Sequence, residues 1–186
     1  MSYLTIEKLN QITNDKLNEN LNRYEIFIES GTFYGNTIFS MEPYFKNLHT
    51  IEISEKYFLE FEKQKNIHGK FKIDNHLGDT VNILPKILQF LPKDNNCIFW
   101  LDGHWSSGDT GKGNKDCPVL DECRIIDCMY ESKEGIILID DFRLFGTKIT
   151  EDWIDITEEN VQKSFKNFDI VNQFIFDDIL CLKIQK

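Results

Sequence analysis

Three places in this sequence put an acid at the end of an apolar run, two of them with a glycine close by, an arrangement that lets a ligand approach backbone and carboxylate together. The first is Glu29-Ser30-Gly31-Thr32, followed by Gly35, with Asn36 and Thr37 opening a helix. Gly31 permits a tight turn against a ligand, and Gly35 permits a helix to pack closely on the preceding strand. Glu52 and Ile53 close the next apolar run, at about the twenty-residue distance where an acid can accept both hydroxyls of a ribose. Gly78-Asp79 comes after a third run, where Asp79 can accept from the amino group of a base. Each feature alone is common. Together, at the ends of successive strands, they describe a nucleoside-binding edge. A plain dinucleotide fingerprint requires GxGxxG, and Phe33 breaks it.

A second constellation is Asp102-Gly103-His104-Trp105 and Asp140-Asp141-Phe142. Adjacent parallel strands ending there would gather Asp102, Asp140 and Asp141, and such like charges favour a divalent cation. Oxygen-only ligands select Mg²⁺, Mn²⁺ or Ca²⁺ over zinc. Acids at strand ends also cap helices, and Asp140 and Asp141 can both ligate only where the chain turns. His104 is the candidate general base, because an ordinary histidine titrates near neutrality. A bland role, holding the loop by a hydrogen bond, fits it nearly as well. His49, His68 and His76 read as surface or structural.

Positioning these groups takes alternating strands and helices. Residues 1–24 read as a helical arm from the spacing of Leu9, Ile12, Leu17, Leu21 and Tyr24. Strands are expected at 25–29, 49–53, 71–75, 96–102 and 135–140. Helices are expected at 37–45, 55–64 with Ser54 as N-cap, 81–90 with Pro85 inside, 118–131 and 157–166. Residues 168–176 and 179–184 make a hairpin around Asp177-Asp178. The whole is a doubly wound α/β Rossmann-like sheet, mostly parallel, with a C-terminal antiparallel hairpin, in one domain spanning 1–186. The loop 105–116 is expected to cover an acceptor.

With 186 residues, 41% hydrophobic and 13% aromatic, the chain can bury a full core and is not disordered. No apolar run is long enough to cross a bilayer, and residues 1–20 lack a secretory pattern. A net charge of −10 without a basic stripe disfavours nucleic acid as a partner. Cys97, Cys117, Cys123, Cys128 and Cys181 are odd in number and lack CxxC spacing. They read mainly as reduced thiols of a cytoplasmic protein, with a zinc site at Cys117, Cys123 and Cys128 as the minor alternative. Self-association is compatible with the sequence.

Glu29-x-Gly31-x-x-x-Gly35, Asp102-Gly103-x-Trp105 and Ile139-Asp140-Asp141-Phe142 resemble class I S-adenosylmethionine-dependent methyltransferases over residues 25–186. The narrower resemblance is to the sugar O-methyltransferases of macrolide (macrocin) and novobiocin-type deoxysugars. It implies S-adenosylmethionine as donor, Mg²⁺ held by Asp102, Asp140 and Asp141, and a base at His104, where several relatives carry Asp. Asp102 would serve both donor and metal. The expected reaction is methyl transfer to a hydroxyl of a sugar or sugar nucleotide. The rivals are a catechol-type O-methyltransferase and a catalytically silent nucleoside-binding relative.

Overall fold

The computed structural model describes residues 3–105, 110–149 and 151–186. Five strands run parallel: β1 (Tyr24–Ser30), β2 (Asn47–Glu52), β3 (Ile73–Leu77), β4 (Asn96–Leu101) and β5 (Glu134–Ile139). Two antiparallel strands complete the sheet, β7 (Ile179–Gln185) against β5 and β6 (Asp169–Phe176) at the outer edge. The order is β3-β2-β1-β4-β5-β7-β6. The chain builds outward from β1 to β3 and then returns to place β4 on the other side of β1. Ligands of such sheets bind at that reversal, beyond the carboxyl ends of the strands.

Both faces are covered, and the central strands show why they read as unbroken apolar runs. Cys97, Phe99 and Leu101 of β4 enter one core, while Ile98 and Trp100 enter the other. The first core is closed by α4 (Thr80–Phe90), α5 (Val119–Met129) and α6 (Glu158–Lys163), through Leu84, Ile87, Cys123, Ile126 and Val161. The second is closed by α1 (Ile6–Asn10), α2 (Asn36–Met41) and α3 (Glu55–Ile67), through Leu9, Ile38, Met41 and Phe61. Among the described residues, no helix is long and apolar enough to cross a membrane.

The boundaries depart from expectation where tertiary packing outweighs local pattern. The N-terminal arm is α1, a π turn (Gln11–Lys16) and a 3₁₀ turn (Leu21–Arg23), and Leu9, Ile12 and Leu21 sit inside the second core. Helix α2 stops at Met41; Glu42 keeps helical backbone, but Pro43 after it has no N–H with which to continue the ladder. Strand β3 lies two residues later than expected, because Ile73 is buried against Leu48 while Phe71 is exposed. Helix α4 runs straight through Pro85. Ser54 precedes α3 without capping it by its side chain.

Candidate functional site

The carboxyl ends of β1, β2, β4 and β5 open into one cavity of about 510 Å³. Gly31 forms its throat. With φ at +85° it lies so close to β4 that a Cβ would fall 2.3 Å from the Asp102 carbonyl oxygen. Any larger residue would push the two strand ends apart. Gly35, also left-handed at φ +78°, lies away from the cavity, and a Cβ there would strike the Phe61 ring at 2.3 Å. Its role is to seat α2 on α3.

At the β2 end, Glu52 is buried, and its carboxylate accepts from the Phe33 amide at 2.8 Å and the Ser54 amide at 2.7 Å. These bonds and the Gly78 amide bond to the Glu52 carbonyl lock the strand tip. Burial pushes the Glu52 carboxyl up, and the backbone amides oppose it. Ile53, Asp79, Val81, Phe33 and Tyr57 complete this end of the wall. Asp79 caps α4 by accepting from the Val81 amide at 3.2 Å.

The other end holds His104, Asp102, Asp140, Asp141, Arg143 and Glu151. His104 is largely buried, with Nε2 3.1 Å from Asp141 Oδ2 and Nδ1 3.5 Å from Asp102 Oδ1. Its ring meets the edge of Trp153 at 5.1 Å, and Trp153 Nε1 donates to Glu151 at 2.9 Å. The chain turns sharply after β5, with Asp141 left-handed at φ +58°, so Asp140 and Asp141 both reach the cavity.

Buried acid dominates the electrostatics. Burial, then the charges of Asp140 and Asp141, hold Asp102 well above the usual carboxylate range. Burial likewise pushes Asp140 up to about 6 and Glu29 up to about 8. Asp141 is the exception: burial raises it, but His104 and Arg143 more than offset that and keep it low.

The expected three-carboxylate cation site is not assembled. One Asp141 oxygen is paired with the Arg143 guanidinium and the other faces His104, so a cation would have to displace both. Among the described residues, no three His, Cys, Asp or Glu side chains form a group that could hold a metal ion. The zinc alternative fails too, since Cys117 and Cys123 are buried while Cys128 is exposed.

Of the residues expected to bind a nucleoside, Gly31, Glu52, Ile53, Asp79 and Asp102 line the cavity. Glu29, Ser30 and Thr32 are buried behind it: Glu29 accepts from the Thr50 hydroxyl at 2.6 Å, and Thr50 meets Thr32 at 2.6 Å. Asn36 and Thr37 lie at the start of α2, and Gly78 forms the turn after β3; none of the three is a wall residue. The 105–116 loop also differs from expectation. Its residues 106–109 lie outside the described residues; of its second half, Gly111 and Gly113 lie against the β2 end, while Asp116 accepts from the Trp105 and Asp152 amides beside the His104 end. A Cβ on Gly111 would fall 2.2 Å from the Ile53 side chain, and one on Gly113 would fall 2.6 Å from the Asp79 carboxylate. Phe33, Tyr57, Gly111, Gly113, Arg143 and Glu151 were not expected in the wall, and nothing in their local sequence marks them.

No family profile and no curated protein matches the sequence. Solved structures do match in fold. The S-adenosylhomocysteine-bound methyltransferase PaMTH1 of Podospora anserina superposes with a TM-score of 0.59 at 16% identity, over 87% of this chain and 72% of that one. The O-methyltransferase TomG of Streptomyces achromogenes, involved in tomaymycin synthesis and in complex with S-adenosylmethionine, gives 0.58 at 12%, over 96% and 88%. An rRNA methylase of Streptococcus thermophilus gives 0.53 at 14%, over 89% and 91%. At identities of 12–16%, what the likeness establishes for this chain is the Rossmann-like fold it shares with these methyltransferases.

Proposed function

We propose that the chain is an S-adenosylmethionine-dependent O-methyltransferase acting on a hydroxyl of a small molecule, with a sugar or sugar nucleotide as the acceptor class. One observation carries the reading: one cavity of about 510 Å³ is lined by Glu52, Ile53 and Asp79 and also by Gly31 and His104. Glu52 would hold the ribose with the acceptor capacity its two amide bonds leave over, and Asp79 the base. The solved fold neighbours bound to S-adenosylmethionine and its demethylated product support the donor assignment.

The donor supplies an electrophilic methyl group on a sulfonium. The chain's residues orient the acceptor oxygen in line with it and take the proton. Asp141 fixes the His104 ring through Nε2, and Nδ1 receives the hydroxyl proton as the oxygen–methyl bond forms and the sulfonium becomes a neutral thioether. Arg143 balances the charge of Asp141. The free cysteines accord with a cytoplasmic setting, which belongs to the same proposal.

The test is calorimetric titration with S-adenosylhomocysteine, followed by transfer of labelled methyl to a sugar-nucleotide panel and a catechol. Binding with transfer to a sugar hydroxyl is expected. No binding removes the donor assignment. Binding without transfer to any hydroxyl makes the chain a nucleoside-binding protein, and transfer to the catechol alone moves the acceptor class.

A further inference from the structure

Glu122 stands in the first turn of α5, wholly buried, with its amide bonded to the Pro118 carbonyl at 3.0 Å. Neither carboxylate oxygen has a hydrogen-bond partner among the described residues, nor has the neighbouring Ser30 hydroxyl. Acids on an apolar helix stripe are rare, and an unsatisfied buried one is rarer. Its position is specific. Gly103 lines the cavity, and a Cβ built on it would sit 3.0 Å from Ser30 Oγ and 3.5 Å from Glu122 Oε1. Gly103 and the Ser30 side chain therefore lie between this acid and the cavity.

Resting on the donor reading above, we propose that Glu122 is a positioning counter-charge beneath the donor site, favouring the cationic sulfonium donor over its neutral thioether product. Ser30 and Gly103 stand between it and the cavity, so it acts by field rather than contact. Its field is weakly screened because Glu122 itself is wholly buried. Asp102 at the end of β4 faces the same region, as do Asp79 at the cap of α4, Asp121 on α5, and the thiols of Cys117 and Cys123, which burial keeps neutral. Burial brings Glu122 up to about 7, with the Ser30 and Thr80 hydroxyls easing it down without completing a hydrogen bond. The acid can thus give up its proton as positive charge arrives.

The test compares three probes on wild type and Glu122→Gln by calorimetry. S-adenosylmethionine and sinefungin carry positive charge at the reacting position, and S-adenosylhomocysteine does not; all three share the same amino-acid end. At pH 8 the Gln variant should lose about tenfold in affinity for the two cationic probes and stay near wild type for S-adenosylhomocysteine. At pH 6, where Glu122 keeps its proton, the variant and wild type should converge. Equal losses for all three probes would make Glu122 merely structural, and no loss for any would remove it from the site. Glu122→Met, also uncharged, must reproduce the split. Should wild type bind none of the probes, the donor reading fails first, and that outcome is distinct from these.

Discussion

Buried charge occurs at both ends of the sheet, and the two ends treat it in opposite ways. At the amino end, Lys183 of β7 is only 4% exposed, yet Glu134 lies 2.8 Å and Glu19 3.1 Å from its ammonium. Arg23 adds a 2.5 Å contact to Glu134, Asn96 donates to the same carboxylate at 2.8 Å, and the Tyr24 hydroxyl closes the network. Every charge there has its partner within the chain. At the carboxyl end, among the described residues, Glu122 and Asp140 keep unsatisfied oxygens, and Glu29 accepts from the Thr50 hydroxyl. The contrast supports placing the proposed ligand site at the end where buried polar atoms stay unsatisfied. The difference separates a structural clasp from a site.

The largest expected effect breaks the clasp. Lys183→Met removes the buried cation and leaves Arg23, which is half-exposed, as the counter-charge of both Glu19 and Glu134; it should cost about 3 kcal/mol in chemical denaturation, the lower end for a broken buried pair, with donor binding at wild-type strength once folded. A cost below about 1 kcal/mol would show that solvent screens this network, and the contrast between the ends would collapse.

Next comes the opposite operation at the site end. Burial raises Glu29 to about 8 in the folded protein, above its unfolded value near 4.5. A raised folded pKa stabilises fully below the unfolded value, and that contribution disappears as pH rises through 8. Glu29→Gln should therefore flatten the decline in stability between pH 5 and pH 8 and make the protein more stable at pH 8, by something on the order of 3 kcal/mol. Parallel stability–pH curves for wild type and variant would refute the assignment.

The remaining tests sharpen the site itself. His104→Ala should lower turnover about a hundredfold with donor affinity unchanged. A Gln variant at wild-type speed would reduce His104 to a positioning role. Glu52→Ala should weaken donor binding by roughly 1.5–3 kcal/mol, because ribose hydroxyls lose their acceptor. Unaltered affinity in titration calorimetry removes Glu52 from the ribose. Smallest of all, Mg²⁺ should leave the Tm where it is, since Arg143 and His104 already hold Asp141. A Tm rise in wild type that is absent in Asp140→Asn would return the cation to the site and make the Arg143 pairing a state of the cation-free protein.

Much of the scaffold was legible locally. The apolar runs of β4 and β5 announced central strands because both faces are covered, and Thr157 announced α6, where it accepts from the Asn160 amide at 3.1 Å. The strand-end residues Gly31, Glu52, Asp79, Asp102 and Asp140 were legible for the same reason: in a parallel sheet, where a strand stops is where its next residue meets the ligand edge. Glu122 carried a signal that was open to reading, an acid on the stripe formed by Val119, Cys123 and Ile126. Phe33, Gly111 and Gly113 carried none, since what matters about them is a neighbour far along the chain.

The alternation of strands and helices, the acids at the strand tips and the net charge of −10 could be read from the residues alone. These follow from hydrophobic period and side-chain charge, which are local properties. Only the tertiary structure decided which acids are satisfied. Arg143 reaches Asp141, and Lys183 reaches Glu134 across 49 residues, while Glu122 is left behind Gly103 and Ser30 with no partner among the described residues. Charge compensation depends on distance and burial together, and neither exists until the chain has folded.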